Sequence, residues 1–187
     1  MGQLLEAEGL KVDPHKVKAI KEMPEPKGKE DVKRVLWFVQ LLSRYLPSSS
    51  RVVTQLRELD KSDVLFHWDL PQKESFMKSK QLVPQALVLQ CYDVTKRVVI
   101  QCDSSGKGHG AVLLQDSKNV CYASLALTDA ETRPPIEAEM VAAVFACRKF
   151  HQYIYHRTTI VETDHKPLQA ISSKTLSQVP LRLQQTP

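Results

Sequence analysis

Arg97-Val98-Val99-Ile100-Gln101-Cys102-Asp103, followed at once by Ser104-Ser105-Gly106, is the stretch that decides the fold of the second half of this chain. Its β-branched residues predict a strand over 97–103, and the small polar residues after Asp103 predict a turn. Gly106, Gly108 and Gly110 punctuate that turn, and 111–114 reads as a second strand. Asp116-Ser117-Lys118-Asn119 is a turn, and 120–124 a third strand. Thr128 and Glu131 have the spacing of a capping box. Pro134-Pro135 then precede a helix over 136–150, and 158–163 reads as a fourth strand. A three-stranded meander, a helix and a further strand predict a mixed sheet with helices packed against it.

Upstream the pattern is helical. Asp13-Pro14 opens a helix carrying Val17 and Ile20, which Pro24 and Pro26 end. A longer helix over 29–46 has the apolar stripe Val32, Val35, Leu36, Val39 and Leu42, and Pro47 with the serines after it stops it. Val53, Leu56 and Leu59 suggest a short helix. Asp69 and Gln72 form a capping box that opens another, with Phe76 and Leu82. Residues 1–85 thus read as a small, mostly helical lobe, and 90–187 as the sheet-containing domain. The boundary is expected between Pro84 and Asp93, where limited proteolysis should cut.

Composition bounds the possibilities. A hydrophobic fraction of 42% with 25% charged residues is that of a globular protein rather than a disordered one. No apolar run approaches the roughly 20 residues that span a bilayer, and the first residues lack signal-peptide character. No membrane role and an intracellular location are expected. The net charge of +5 is spread along the chain, so it permits nucleic-acid binding without demanding it. Cys91, Cys102, Cys121 and Cys147 form no Cys-x-x-Cys pair. The last three lie in apolar segments and read as buried free thiols, which suits a reducing compartment.

Three acids stand out. On a helical wheel over 136–150, Ile136, Met140, Ala143, Val144, Cys147 and Phe150 share one side, and Glu139 falls inside it. A carboxylate inside an apolar stripe is costly unless compensated, and a metal ion is one compensation. The plainer alternative is a helix-edge glutamate that reaches water. Glu137 lies further around, near Arg148, and reads as a solvated partner. Asp103 ends one predicted strand and Asp164 another; turn initiation and capping are their plainer roles. Together the three offer the oxygen ligands that hard cations such as Mg²⁺ prefer, and paired ions of this kind promote phosphodiester cleavage.

Other features carry less. The glycine triplet 106/108/110 lacks the Gly-Lys-Ser/Thr ending of a phosphate loop, although it would permit a close approach of nucleic acid. His151 and His156 do not share a helix face. Trp37 and Trp68 read as core anchors.

The motifs around the acids resemble those of gypsy-type LTR retrotransposon Pol polyproteins. Val99-Ile100-Gln101-Cys102-Asp103-Ser104-Ser105 with Gly108-His109-Gly110-Ala111-Val112-Leu113-Leu114-Gln115 resembles the first hairpin of the family's RNase H. Tyr122-Ala123-Ser124 with Ala126-Leu127-Thr128-Asp129-Ala130-Glu131 is similar to the segment after it. Ile136-Glu137-Ala138-Glu139-Met140 resembles the acidic helix, and Glu162-Thr163-Asp164-His165-Lys166-Pro167-Leu168 a TDHK-type motif. Upstream, 9–17 resembles the exit from the polymerase palm, and Phe66-His67-Trp68 the end of the thumb.

The resemblance implies a mixed α/β (α+β) chain: a reverse transcriptase palm end and thumb/connection lobe over 1–85, then an RNase H-like domain over 90–187, truncated at its C-terminus. It implies cleavage of the RNA strand of an RNA–DNA hybrid, with Asp103, Glu139 and Asp164 as catalytic metal ligands for Mg²⁺, or Mn²⁺ as substitute. Partners would be the hybrid and the rest of the polyprotein, in the cytoplasm, a virus-like particle or the nucleus. The chain departs from the family in several places. The Tyr-x-Asp-Asp polymerase motif is absent, so no polymerisation is expected. The family's fourth RNase H acid and its last strand and helix lie beyond position 187. Pro134-Pro135 and Leu125 replace the usual residues, and 80–85 departs from the usual pattern. Weak or no activity of this chain alone is therefore expected, and a non-catalytic nucleic-acid-binding or interaction module is the alternative.

Overall fold

The computed structural model describes residues 3–6, 9–86, 88–128 and 134–164, and the chain divides into two compact units, 1–91 and 92–187.

The first unit opens with a hairpin that the periodicity does not show. Strands β1 (Gln3–Glu6) and β2 (Gly9–Val12) pair antiparallel, with Gln3 opposite Val12. Leu4 and Leu5 are adjacent and both exposed, so no alternation marks the strand. A tertiary contact fixes it instead: Leu10 and Leu89 exchange backbone hydrogen bonds of 2.7 and 3.0 Å. Gly9 has a φ of +133°, and a Cβ there would run into the Leu89 carbonyl oxygen, so the position requires glycine.

Helix α1 (Pro14–Lys21) starts as its sequence dictates, with the Asp13 carboxylate accepting from His15 N–H at 2.9 Å and Pro14 in the first turn. Helix α2 (Lys29–Leu42) ends four residues before the expected stop. Ser43 Oγ donates to the Gln40 carbonyl at 2.8 Å, and Ser43–Tyr45 tightens into a 3₁₀ turn. The buried stripe is Val32, Val35, Val39 and Leu42. Trp37 lies about 200° around the helix from Val35 and is 59% exposed, so it is a surface residue and not a core anchor.

The short helices α3 (Ser49–Val52) and α4 (Thr54–Asp60) follow, then α5 (Leu70–Leu82), which opens on the Asp69–Gln72 capping box. Val32, Val35, Leu56, Leu59 and Phe76 form the core of this unit. Trp68 packs on it, stacked on Phe66 at 6.2 Å and edge-on to Phe76 at 6.0 Å.

The second unit holds a four-stranded mixed sheet in the order β5-β4-β3-β6. Strands β3 (Val98–Ser105), β4 (Gly108–Gln115) and β5 (Lys118–Ala126) form the antiparallel meander. Helices α6 (Pro135–Lys149) and α7 (His151–Ile154) lead to β6 (Thr159–Glu162), which runs parallel to β3. Each meander strand is longer than its apolar run, because ladder pairing extends through the polar residues at its ends. The β4–β5 loop is the two residues Asp116 and Ser117, both with positive φ, as a type I′ hairpin turn requires. Val98, Ile100, Cys102, Ala111 and Leu113 meet Ala142 and Ala146 of α6, and Phe150 just after it, in one core. Cys102 and Cys121 are buried and Cys147 half-buried, all as free thiols, while Cys91 is exposed.

No helix among the described residues is long and apolar enough to cross a membrane. The expected capping box at Thr128 and Glu131 lies partly outside the described residues.

Candidate metal centre

The sheet order places the site. Parallel pairing of β3 with β6 brings the ends of both strands to one side of the sheet, and α6 packs against β3. Asp103 near the end of β3, Glu139 in the second turn of α6 and Asp164 just after β6 converge there. One carboxylate oxygen from each lies within 4.8 Å of the other two. These are the three acids singled out in the sequence.

Glu139 is only 5% exposed, while Asp103 and Asp164 face solvent. Its two oxygens are held separately. Ser104 N–H donates to Oε1 at 3.1 Å, and Thr163 Oγ1 donates to Oε2 at 3.2 Å. Burial pushes the Glu139 carboxyl above its ordinary value, these two hydrogen bonds oppose the shift, and the Asp103 and Asp164 charges add to it. No basic side chain ion-pairs with any of the three among the described residues. Cys102, next to Asp103 in sequence, is pushed up to about 11 by burial first and by Glu139 next, and its sulfur is not one of the converging atoms. The donor set is therefore oxygen only and anionic, which fits a hard divalent cation.

Several expectations need correction. Asp103 does not initiate the turn, because β3 continues to Ser105 and Asp103 pairs with Gly110. Glu137 is buried rather than solvated; it sits in the first turn of α6, where the helix N-terminus favours negative charge. Gly108 is explained within the sheet, since a Cβ there would strike the Leu125 carbonyl oxygen. Ser104, Thr163 and His109 were not singled out as site residues. The signal for the first two was adjacency: each flanks one of the acids. The signal for His109 was phase, since it shares the buried side of β4 with Ala111 and Leu113.

Comparison with known proteins agrees with this architecture. The chain is 30% identical over 185 residues to a Pol polyprotein from the Drosophila melanogaster transposon opus, covering 90% of this chain and 18% of the relative. It is 29% identical over 170 residues to that from transposon 297 of the same organism, covering 90% of this chain and 16% of the relative. The chain thus spans less than a fifth of the length of these polyproteins. A foamy viral protease-reverse transcriptase solved in complex with RNA/DNA hybrid matches the fold with a TM-score of 0.85 at 16% identity, over 98% of this chain and 26% of that one. Residues 93–186 match the RNase H-like domain found in reverse transcriptase, and the chain belongs to that family.

Proposed function

We propose that Asp103, Glu139 and Asp164 bind Mg²⁺, with Mn²⁺ as a substitute, and that the site hydrolyses the RNA strand of an RNA–DNA hybrid. The observation that carries this reading is the convergence of three carboxylate oxygens within 4.8 Å. A divalent cation bound there supplies Lewis-acid stabilisation of the reacting phosphate and an activated water. Glu139 is fixed by Ser104 and Thr163 so that each of its oxygens keeps a lone pair for ligation. Asp103 and Asp164, exposed at the rim, meet the substrate side. Three anionic groups, with no basic side chain ion-paired to them among the described residues, would repel a phosphodiester, and a bound cation would offset that charge.

The hybrid as substrate is supported by the structural relative that carries one. The similarity to Pol polyproteins covers 90% of the chain, which supports reading 1–85 as palm-end and thumb material of a reverse transcriptase. The three carboxylates that converge among the described residues would hold one ion firmly and a second loosely, so slow cleavage is expected. The test is cleavage of a labelled hybrid in Mg²⁺ by the full chain and by Asp103→Asn. Metal-dependent cleavage that the substitution lowers by about a thousandfold supports the reading, since several kcal/mol are at stake and each 1.36 kcal/mol is tenfold. Hybrid binding with no cleavage would instead favour a non-catalytic binding module.

A further inference from the structure

We propose that His109 is a positioning residue for Glu139, acting through Ser104, and that it raises the affinity of the carboxylate group for its cation. This rests on the reading of that group as a metal site. His109 stands on β4, directly opposite Ser104 on β3. It is 3% exposed and shares the buried phase of β4 with Ala111 and Leu113. Packing alone would be served there by an aliphatic side chain. The imidazole adds a polar link: its Nδ1 and Ser104 Oγ are hydrogen-bonded at 2.9 Å.

Ser104 is thus held by its side chain on the β4 side, while its backbone N–H donates to Glu139 Oε1 at 3.1 Å. A second contact joins the same two elements. The His109 ring lies 6.4 Å from that of Phe145, further along the helix that carries Glu139. The pair therefore ties the hairpin to α6, Ser104 through Glu139 and His109 through Phe145. Buried polar partners of this kind are costly to separate. Groups that orient a ligand from behind typically change metal affinity by roughly 10- to 100-fold when removed.

The test is Mn²⁺ affinity of the full chain, read by electron paramagnetic resonance of free Mn²⁺. His109→Leu is expected to weaken binding about tenfold. His109→Asn, whose amide can occupy the Nδ1 position, should recover most of the loss. Ser104→Ala removes the hydroxyl but keeps the N–H, and should fall to a similar level as His109→Leu. Rescue by asparagine is a result that loss of packing would not give. If His109→Leu does not fold, Ser104→Ala decides alone. Mn²⁺ binding that Asp103→Asn abolishes but Ser104→Ala leaves unchanged overturns the positioning role and leaves the metal site standing. Equal losses in His109→Asn and His109→Leu also overturn the link through Ser104. Binding unaffected by Asp103→Asn removes the metal site and the inference with it.

Discussion

The helical acids of the first unit and the three converging acids of the second are arranged in opposite ways. In the first, acids pair with bases one helical turn away: Glu30 with Lys33 at 3.0 Å, Asp31 with Arg34 at 3.1 Å, and Glu74 with Lys78 at 3.3 Å. These pairs are solvated and add little to stability. In the second unit, Asp103, Glu139 and Asp164 come from two strand ends and a helix, and they meet with no paired base among the described residues. Local sequence produces the first arrangement at little cost. The second exists only because the topology concentrates like charge, and it calls for a cation to offset it.

The largest expected effect tests whether the two units are separable in stability. Leu59 and Leu113 are both fully buried, each in the core of its own unit. Leu113→Ala and Leu59→Ala should each cost about 3 kcal/mol. Both tryptophans, Trp37 and Trp68, lie in the first unit, so tryptophan fluorescence reports on that unit alone. Denaturant titration followed by fluorescence should show a transition that Leu59→Ala moves and Leu113→Ala leaves in place. Circular dichroism should detect the loss in Leu113→Ala. A fluorescence midpoint shifted equally by both would dissolve the distinction between the units.

A smaller effect concerns the charge that the second unit concentrates. The Glu139 carboxyl is raised above its ordinary value of 4.5, mainly by burial. Its protonated form is therefore favoured by folding. The stability it contributes is fully present below 4.5 and is lost as pH rises through its folded value. Without metal at neutral pH, Glu139→Gln should stabilise the chain, read as a higher melting temperature in chelator. Added Mg²⁺ should raise the melting temperature of the parent and not of the variant. A variant destabilised in chelator would mean that the buried charge is compensated by something other than a cation. No such gain is expected from Asp31→Asn in the first unit, whose charge is already paired.

The smallest effect concerns the β4–β5 turn. Ser117 has a φ of +60°, a conformation that a serine side chain disfavours. Ser117→Gly should raise stability by roughly 0.5 kcal/mol, measured by thermal melting. A loss of stability would indicate that the serine side chain contributes more than the turn conformation costs.

Much of the second unit is legible in the sequence because its elements are long and their signals local. The β-branched run before Asp103, the turn expected at 116–119, whose last two residues instead open β5, and the strong helix after Pro135 each announce themselves. The three acids are legible because each departs from its surroundings, the aspartates at strand ends and Glu139 beside apolar residues, although the face that α6 buries is Ala138, Ala142 and Ala146, rotated from the expected stripe of Ile136, Met140, Ala143, Val144 and Cys147. The β1–β2 hairpin was not legible, since Leu4 and Leu5 are both exposed and its order comes from Leu89, far along the chain. Trp37 was misread by residue type, although its angle from Val35 and Val39 placed it outside the stripe. The roles of Ser104 and His109 depend on cross-strand register, which periodicity does not encode.

The convergent carboxylates are proposed as a metal centre. Isothermal titration of Mg²⁺ into the full chain, with and without an RNA–DNA hybrid, tests it most directly, with Asp103→Asn and Asp164→Asn as controls. Saturable binding is expected in the parent chain, tightened by the hybrid and abolished by either substitution. Heats that are identical in the parent and both variants would contradict it.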